Sequence, residues 1–308
     1  MSLLAAGRCS EMNNLYQCTI KKIVSYEGVG LFTGRKVKLT FHPANANSGI
    51  NFIVSGTRIP AFIKTVLPQY RRNAIGKDGI VIETIEHLMA TLNGLGITNI
   101  DIEISSSQSD VGASNGGEIG GASFEIPNTD GSARLFVDLL LQAGIMEQPE
   151  NKKILKIKEP FYYNDGECSI SALPSEDNSL TLEYTFSHSA VIIGEQHLSV
   201  KLTKDNFISE IAPARTFCMA DEVEHFQSQG LGKSANYQNV LVVDNDKIIQ
   251  NTLRFKDEFV RHKILDLIGD LYLLNASLIA KITAIKSGHK QNIEFVRKLA
   301  ESTHKYIS

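Results

Sequence analysis

The stretch Val260–Leu271, VRHKILDLIGDL, brings polar side chains into line. At about 100° per residue, with His262 set at zero, Asp266 falls near 40° and Asp270 near 80°. Val260, Ile264, Leu265, Leu267, Ile268 and Leu271 then fill roughly 140° to 300°. One face is core; the other is a row of ligand-type atoms. His262 and Asp266, spaced i, i+4, put an imidazole and a carboxylate close enough to hold one metal ion. The same pattern also describes an ordinary amphipathic helix with a solvated face. A second cluster is the adjacent pair Glu86–His87, in the first turn of its own helix and off the apolar stripe. Its plainer reading is a Glu favoured by the helix dipole beside an exposed His. A third is Ser287–Gly288–His289, where a strand gives way to a helix, a kind of junction at which function concentrates.

Together these residues form an inventory of two His and one Asp as metal ligands, a free Glu beside one ligand, and a further His. A catalytic zinc site keeps three protein ligands and one water, with a carboxylate nearby as general base. The parts match a metal-dependent hydrolase. Two His and one carboxylate also describe a non-haem iron oxygenase, but such an enzyme needs no free Glu beside a ligand, and oxygen-dependent turnover separates the two.

The elements that must position these groups follow from periodicity. TIEHLMATLNGLG places Ile85, Leu88, Met89 and Leu92 at i, i+3, i+4 and i+7, with Gly94 as a stop, so a helix is expected from Thr84 to Asn93. The strand ITNIDIEIS follows, then a Gly/Ser-rich excursion from Ser105 to Ser123, then a helix ending at Gly144. Residues 146–153, MEQPENKK, read as a linker. The second half starts over with the strands ILKIKEPFYYN, ECSISALP and SLTLEYTFSH. It continues with a helix near ADEVEHFQSQGL, the strand NVLVVD, the helix of Val260–Leu271, the strand AKITAIKS and a final helix from Lys290 to Ser302. Each half mixes strands and helices in similar proportion, which points to two similar α+β units: a loose tail over 1–15, a first domain over 16–146 and a second over 151–308. The 308 residues exceed the usual size of a single domain, about 100–200.

Composition narrows the partners. Lys and Arg total 31 against 34 Asp and Glu, a net charge of −3, which gives no reason to expect DNA, RNA or an anionic membrane. Cys9, Cys18, Cys168 and Cys218 form no C-x-x-C pair, so neither a thiolate zinc knuckle nor a dense disulfide framework is expected, and a reducing cytoplasm fits. No stretch has the roughly 18–20 uninterrupted apolar residues of a membrane span, and no charged leader precedes the first apolar patch, so neither a transmembrane segment nor a secretory signal is expected.

The segments TIEHLMATLNGLGITNIDIEI, EIPNTDGSA, IAPARTF, LRFKDEFVRHKILDLIGDLYLL and SGHKQN resemble the diagnostic segments of the UDP-3-O-acyl-N-acetylglucosamine deacetylases, the zinc enzymes of lipid A synthesis, and the resemblance runs in family order from Thr19 to Ala300. The resemblance implies two α+β sandwiches, each a sheet against paired helices, with the active site between them. It implies one catalytic Zn2+ held by His87, His262 and Asp266, with Glu86 as general base. It makes His289 the general acid or electrostatic stabiliser, oriented by Asp270, and assigns Thr216 to the carbonyl or oxyanion. Lys263 and Phe217 would contact the UDP-3-O-acyl-N-acetylglucosamine substrate, and the segment from Glu222 to Val243 would shape the acyl-chain passage. A monomer acting in the cytoplasm is expected, without a fused dehydratase domain. The chain departs from the family pattern where GLFTG places Phe32 at a usual His, where Ser234–Ala235 replaces Gly-Gly, and where Asn128 and Thr129 stand at usually apolar positions. These departures motivate the alternative of a catalytically degenerate relative serving as a metal-containing binding protein.

Overall fold

The computed structural model describes residues 15–69, 71–106 and 122–302; the expected N-terminal tail, apart from Leu15, and most of the Gly/Ser-rich excursion lie outside the described residues. Ser105 and Ser106 belong to the strand before that excursion, and Ala122 and Ser123 to the strand after it.

The first half runs β1 (Tyr16–Ile20), β2 (Val24–Val29), β3 (Lys36–Pro43), β4 (Ile50–Val54), β5 (Thr57–Pro60), β6 (Val66–Leu67), β7 (Ala74–Lys77), β8 (Ile80–Glu83), α1 (Glu86–Gly94), β9 (Ile100–Ser106), β10 (Ala122–Glu125), α2 (Arg134–Ala143) and β11 (Ile145–Asn151). The second runs β12 (Ile154–Lys156), β13 (Phe161–Asp165), β14 (Cys168–Leu173), β15 (Leu180–Ser187), β16 (Glu195–Lys201), a short α3 (Lys204–Asn206), β17 (Phe217–Met219), α4 (Ala220–Ser228), β18 (Leu241–Asp244), β19 (Lys247–Ile248), α5 (Glu258–Tyr272), β20 (Ser277–Ile285) and α6 (His289–Glu301).

The main sheet of the first half has the order β2-β3-β9-β4-β5, and that of the second β13-β14-β20-β15-β16. In both, the central strand is parallel to one neighbour, β4 or β15, and every other pairing on the path is antiparallel. In both, a helix enters the central strand, α1 into β9 and α5 into β20, and a second helix comes later, α2 or α6. The fold is α+β, and strand order displays the similarity of the halves that residue identities conceal. Alternation drives each sheet onto its core: Val37, Leu39 and Phe41 of β3, Ile100, Ile102 and Ile104 of β9, and Leu278, Ala280, Ile282 and Ala284 of β20 all point inward. Helix residues Leu88, Met89, Phe136, Leu140, Leu265, Ile268 and Phe295 join them in one continuous core.

Three sequence expectations change in detail. Of residues 146–153, expected as a linker, all but the last two belong to β11, which pairs antiparallel with β1; register across the ladder outweighs the Pro and the charges there. Gly94 does not terminate α1. It lies in the last turn, where a Cβ would overlap the ring of Phe207, and Gly96, at φ +71°, makes the left-handed exit. The polar line on α5 is not a solvated face, since α1 covers it.

Candidate active site

The site is made where α1 crosses α5. At Gly269 a Cβ would overlap the carbonyl oxygen of Glu86, so the helices meet backbone to backbone. That contact sets the first turn of α1 against the C-terminal part of α5, and Glu86 and His87 of one half face His262 and Asp266 of the other. All are buried: Glu86 is 5%, His87 6%, His262 3%, Asp266 4% and Asp270 0% exposed. The plainer reading of a wet Glu–His pair therefore fails.

His87 Nε2 lies 3.8 Å and His262 Nε2 3.5 Å from the same oxygen, Asp266 Oδ1, and the two imidazoles stand edge to face at 5.0 Å. Asp266 Oδ1 is buried without a hydrogen-bond donor. A buried carboxylate oxygen in that condition is costly unless a cation completes it. Donor atoms around a tetrahedral zinc with bonds of about 2.1 Å sit roughly 3.4 Å apart, so the set fits such an ion. Among the described residues this is the one cluster of three His, Cys, Asp or Glu side chains close enough to share a metal.

The tautomer of His262 is set from behind. Arg215, itself buried, donates from Nε to Glu258 Oε1 at 2.8 Å and from Nη2 to Oε2 at 3.1 Å, tying the segment before β17 to the first residue of α5. The carbonyl of Ala214 then sits 3.1 Å from His262 Nδ1, which donates to it and leaves the Nε2 lone pair facing Asp266. Thr216 and Phe217 follow on the cleft wall. The Phe217 ring packs 4.9 Å from that of Phe259, and Lys263 Nζ lies 5.5 Å over it while reaching Asp266 Oδ2 at 3.1 Å.

His289 opens α6. Tyr184 Oη donates to the carbonyl of Ser287 and holds the preceding turn. Asp270 Oδ2 accepts from His289 Nδ1 at 2.9 Å, which turns Nε2 toward Glu86 Oε1 at 4.0 Å and Asp266 Oδ2 at 3.9 Å. Burial, against the attraction of His289, pushes the Glu86 carboxyl up to about 7. Burial and the neighbouring His262 ring press His87 down to about 3. Burial lowers His262 as well, against the pull of Asp266. For Asp266 burial works toward the neutral form, yet His262, Lys263 and His289 hold it below the usual carboxylate range. For His289 burial is likewise outweighed, and Asp270 with Asp266 push it up to about 10. At neutral pH the donor set is two neutral imidazoles and a carboxylate, beside an imidazolium and a carboxyl poised near neutrality.

Glu86, His87, Thr216, Phe217, His262, Lys263, Asp266 and His289 all line one cleft of about 1080 Å3, with Asp270 behind it. Of the segment Glu222–Val243, Glu222 reaches the cleft, and its carboxylate pairs with Arg71 on the opposite wall. Phe32 lies on the first-half wall with its ring 4.4 Å from the Arg72 guanidinium. Ser234 Oγ donates to the Gly30 carbonyl at 2.8 Å, and Asn128 Nδ2, on the cleft wall, to that of Asn239 at 3.0 Å, so these departures leave the His87–His262–Asp266 cluster in place. Sequence reading missed Asn292, Asn73 and the Arg215–Glu258 pair. Asn292 had a signal, its i+3 spacing from His289 on α6. Asn73 had none, because its partner Asp270 is 197 positions away.

Residues 17–301 match the family described as LpxC: UDP-3-O-acyl N-acetylglycosamine deacetylase. The chain is 38% identical over 289 residues, 93% of its own length and 92% of the relative, to the UDP-3-O-acyl-N-acetylglucosamine deacetylase of Thermodesulfovibrio yellowstonii. It is 37% identical over 290 residues to the enzyme of that name from Syntrophotalea carbinolica, covering 92% of this chain and 88% of the relative. For that of Saccharophagus degradans the identity is 39% over 281 residues, 90% of this chain and 87% of the relative. A match over nearly the whole length, with the family's segments meeting in one buried site, makes this chain a member of the UDP-3-O-acyl N-acetylglycosamine deacetylase family.

Proposed function

We propose that the protein hydrolyses the acetamide of UDP-3-O-acyl-N-acetylglucosamine, releasing acetate in an early step of lipid A biosynthesis. The reading rests most heavily on Asp266 Oδ1, buried without a donor and facing two neutral imidazoles, with a near-neutral carboxyl and an imidazolium at hand. His87, His262 and Asp266 would hold zinc, which when bound supplies Lewis acidity for the acetamide carbonyl and the attacking water. Glu86, whose burial keeps its affinity for protons near neutrality, takes the proton from that water. His289, held protonated by Asp270, and the Thr216 hydroxyl stabilise the developing oxyanion, and His289 gives its proton to the leaving amine. Phe217 offers a ring face and Lys263 a positive charge to the sugar nucleotide. No helix among the described residues is long and apolar enough to cross a membrane, and the reading carries with it action as a single chain in the cytoplasm. The departures at Phe32, Ser234 and Ala235 leave every proposed catalytic side chain in place, so the binding-protein alternative gains no support.

The test is acetate release from UDP-3-O-acyl-N-acetylglucosamine by purified protein with and without chelator. Turnover lost on chelation and restored by zinc is expected. Its absence at full metal occupancy would end the deacetylase reading.

A further inference from the structure

Asp270 has no exposed surface, so its carboxylate must find all its donors inside the protein. Two of them come from α6: His289 Nδ1 donates to Oδ2 at 2.9 Å, and Asn292 Nδ2 to the same oxygen at 2.8 Å. The third, on Oδ1, is Asn73 Nδ2, which reaches across from the first half, just ahead of β7. The same amide nitrogen lies 3.3 Å from His289 Nδ1. The backbone of Asn73 turns the other way: its N–H donates to Glu86 Oε2 at 3.2 Å, and its carbonyl accepts from Thr84 N at 2.8 Å, at the entry to α1. One buried residue therefore touches the proposed base directly and the proposed acid through its carboxylate, and those two groups lie 4.0 Å apart on opposite sides of the seam between the halves.

We infer that Asn73 is a positioning residue that sets the separation and mutual orientation of Glu86 and His289, its backbone anchoring the one and its amide clamping the Asp270 that aims the other. The clamp is directional. Without it Asp270 would keep donors from α6 alone, Asn292 Nδ2 and His289 Nδ1, the latter also 3.2 Å from Oδ1; with no donor from the first half to oppose them the carboxylate can rotate, and the imidazole turns with it. A misplacement of that order in a base–acid pair falls on turnover rather than on substrate binding. The inference rests on the deacetylase reading.

The experiment is a double-mutant cycle of Asn73→Ala with Asp270→Asn, assayed for acetate release at matched metal content. Asn73→Ala keeps the backbone bond to Glu86 and removes only the clamp. Its kcat is expected to fall by about 10–100-fold with KM and metal content near the parent's. In the Asp270→Asn background the same change should cost no more than about twofold, the margin within which independent sites add. A parent-like kcat in Asn73→Ala, or an equal loss in both backgrounds, overturns the inference. Should Asn73→Ala fail to fold, the isosteric Asn73→Asp takes its place. Paired with Asp270→Asn it exchanges donor for acceptor, so the double variant should turn over faster than Asn73→Asp alone, and a slower one overturns the inference. If the parent itself releases no acetate, it is the deacetylase reading that fails. The clamp is then judged by the Nδ1 proton of His289 in NMR spectra, expected sharp and downfield in the parent and broadened or moved in Asn73→Ala; an unmoved signal overturns it.

Discussion

At the scale of single residues, the proposed roles separate groups that would hold an ion from groups that would move protons, and the separation is one of environment. His87 and His262 converge on one buried oxygen of Asp266, whereas Glu86, adjacent in sequence to His87, points at His289. His262→Ala and Asp266→Ala are therefore expected to lose metal and activity together. Glu86→Ala should retain metal and lose about 10²–10⁴ in kcat, the contribution typical of a general base. Metal analysis beside kinetics checks this, and a metal-free Glu86→Ala would merge the two roles. The second expectation concerns pH. Asp270 is the strongest attraction raising His289 to about 10, against burial. If protonated His289 is required, kcat/KM rises as Glu86 loses its proton and falls as His289 loses its own. Removing the charge in Asp270→Asn lowers the affinity of His289 for its proton, so the high-pH limb should move to lower pH at matched metal content. Glu86, His289 and the ligands titrate as a coupled set, so the shift of the limb carries the information and its absolute position does not. An unmoved limb would release Asp270 from this role.

At the scale of elements, two glycines of similar appearance do different work. Gly269 lets α5 touch the backbone of α1 at Glu86, while Gly94 gives room to the side chain of Phe207. Backbone cannot yield as a ring can, so Gly269→Ala should displace Glu86 and His87, weakening metal binding and kcat as well as lowering stability by roughly 1–3 kcal/mol. Gly94→Ala should lower Tm and leave kcat near the parent's. Thermal unfolding and metal titration of the two variants check the contrast, and equal effects on kcat would remove the helix crossing from its place under the site. The same crossing explains what was legible in the sequence. The helical period of α1 and α5 is local, so both helices, and the strands β9 and β20 that follow them, could be read from apolar spacing. The burial of the polar face of α5 could not, since α1, more than 160 residues upstream, covers it. β11 was read as a linker for the same reason: its polar, Pro-containing sequence is a strand only because β1 offers a ladder. Family resemblance supplied what periodicity lacked, naming Glu86, His87 and the α5 residues as one site. It said nothing of Asn73, whose contacts join parts of the chain that no local pattern relates.

At the scale of the whole molecule, the two halves repeat one strand order and meet along α1 and α5, so the charges of the site are also charges of the interface. Stability should follow their titration, most plainly in metal-free protein. His289 is raised from its ordinary value to about 10 in the folded state, so between about pH 6.5 and 10 the folded protein binds a proton that the unfolded chain has released. Stability from this group is complete below pH 6.5 and is lost as pH rises through 10. Glu86, raised to about 7, acts in the same sense over a lower window, from its ordinary carboxylate range up to 7. His87, pressed down to about 3, acts in the opposite sense: its contribution is present above pH 6.5 and lost as pH falls toward 3. The metal-free protein should therefore lose Tm on both sides, through His87 in acid and chiefly through His289 in alkali. If the folded site holds zinc as proposed, zinc should raise Tm throughout the neutral range, adding about 4 kcal/mol at a thousandfold excess over Kd. The measurement is Tm against pH for the metal-free parent, His289→Gln and Glu86→Gln, compared as slopes so that titrations common to all three cancel. His289→Gln should flatten the fall between pH 7 and 10, and Glu86→Gln should flatten only the part below 7. Parallel curves for parent and His289→Gln would mean that the interface does not hold that proton.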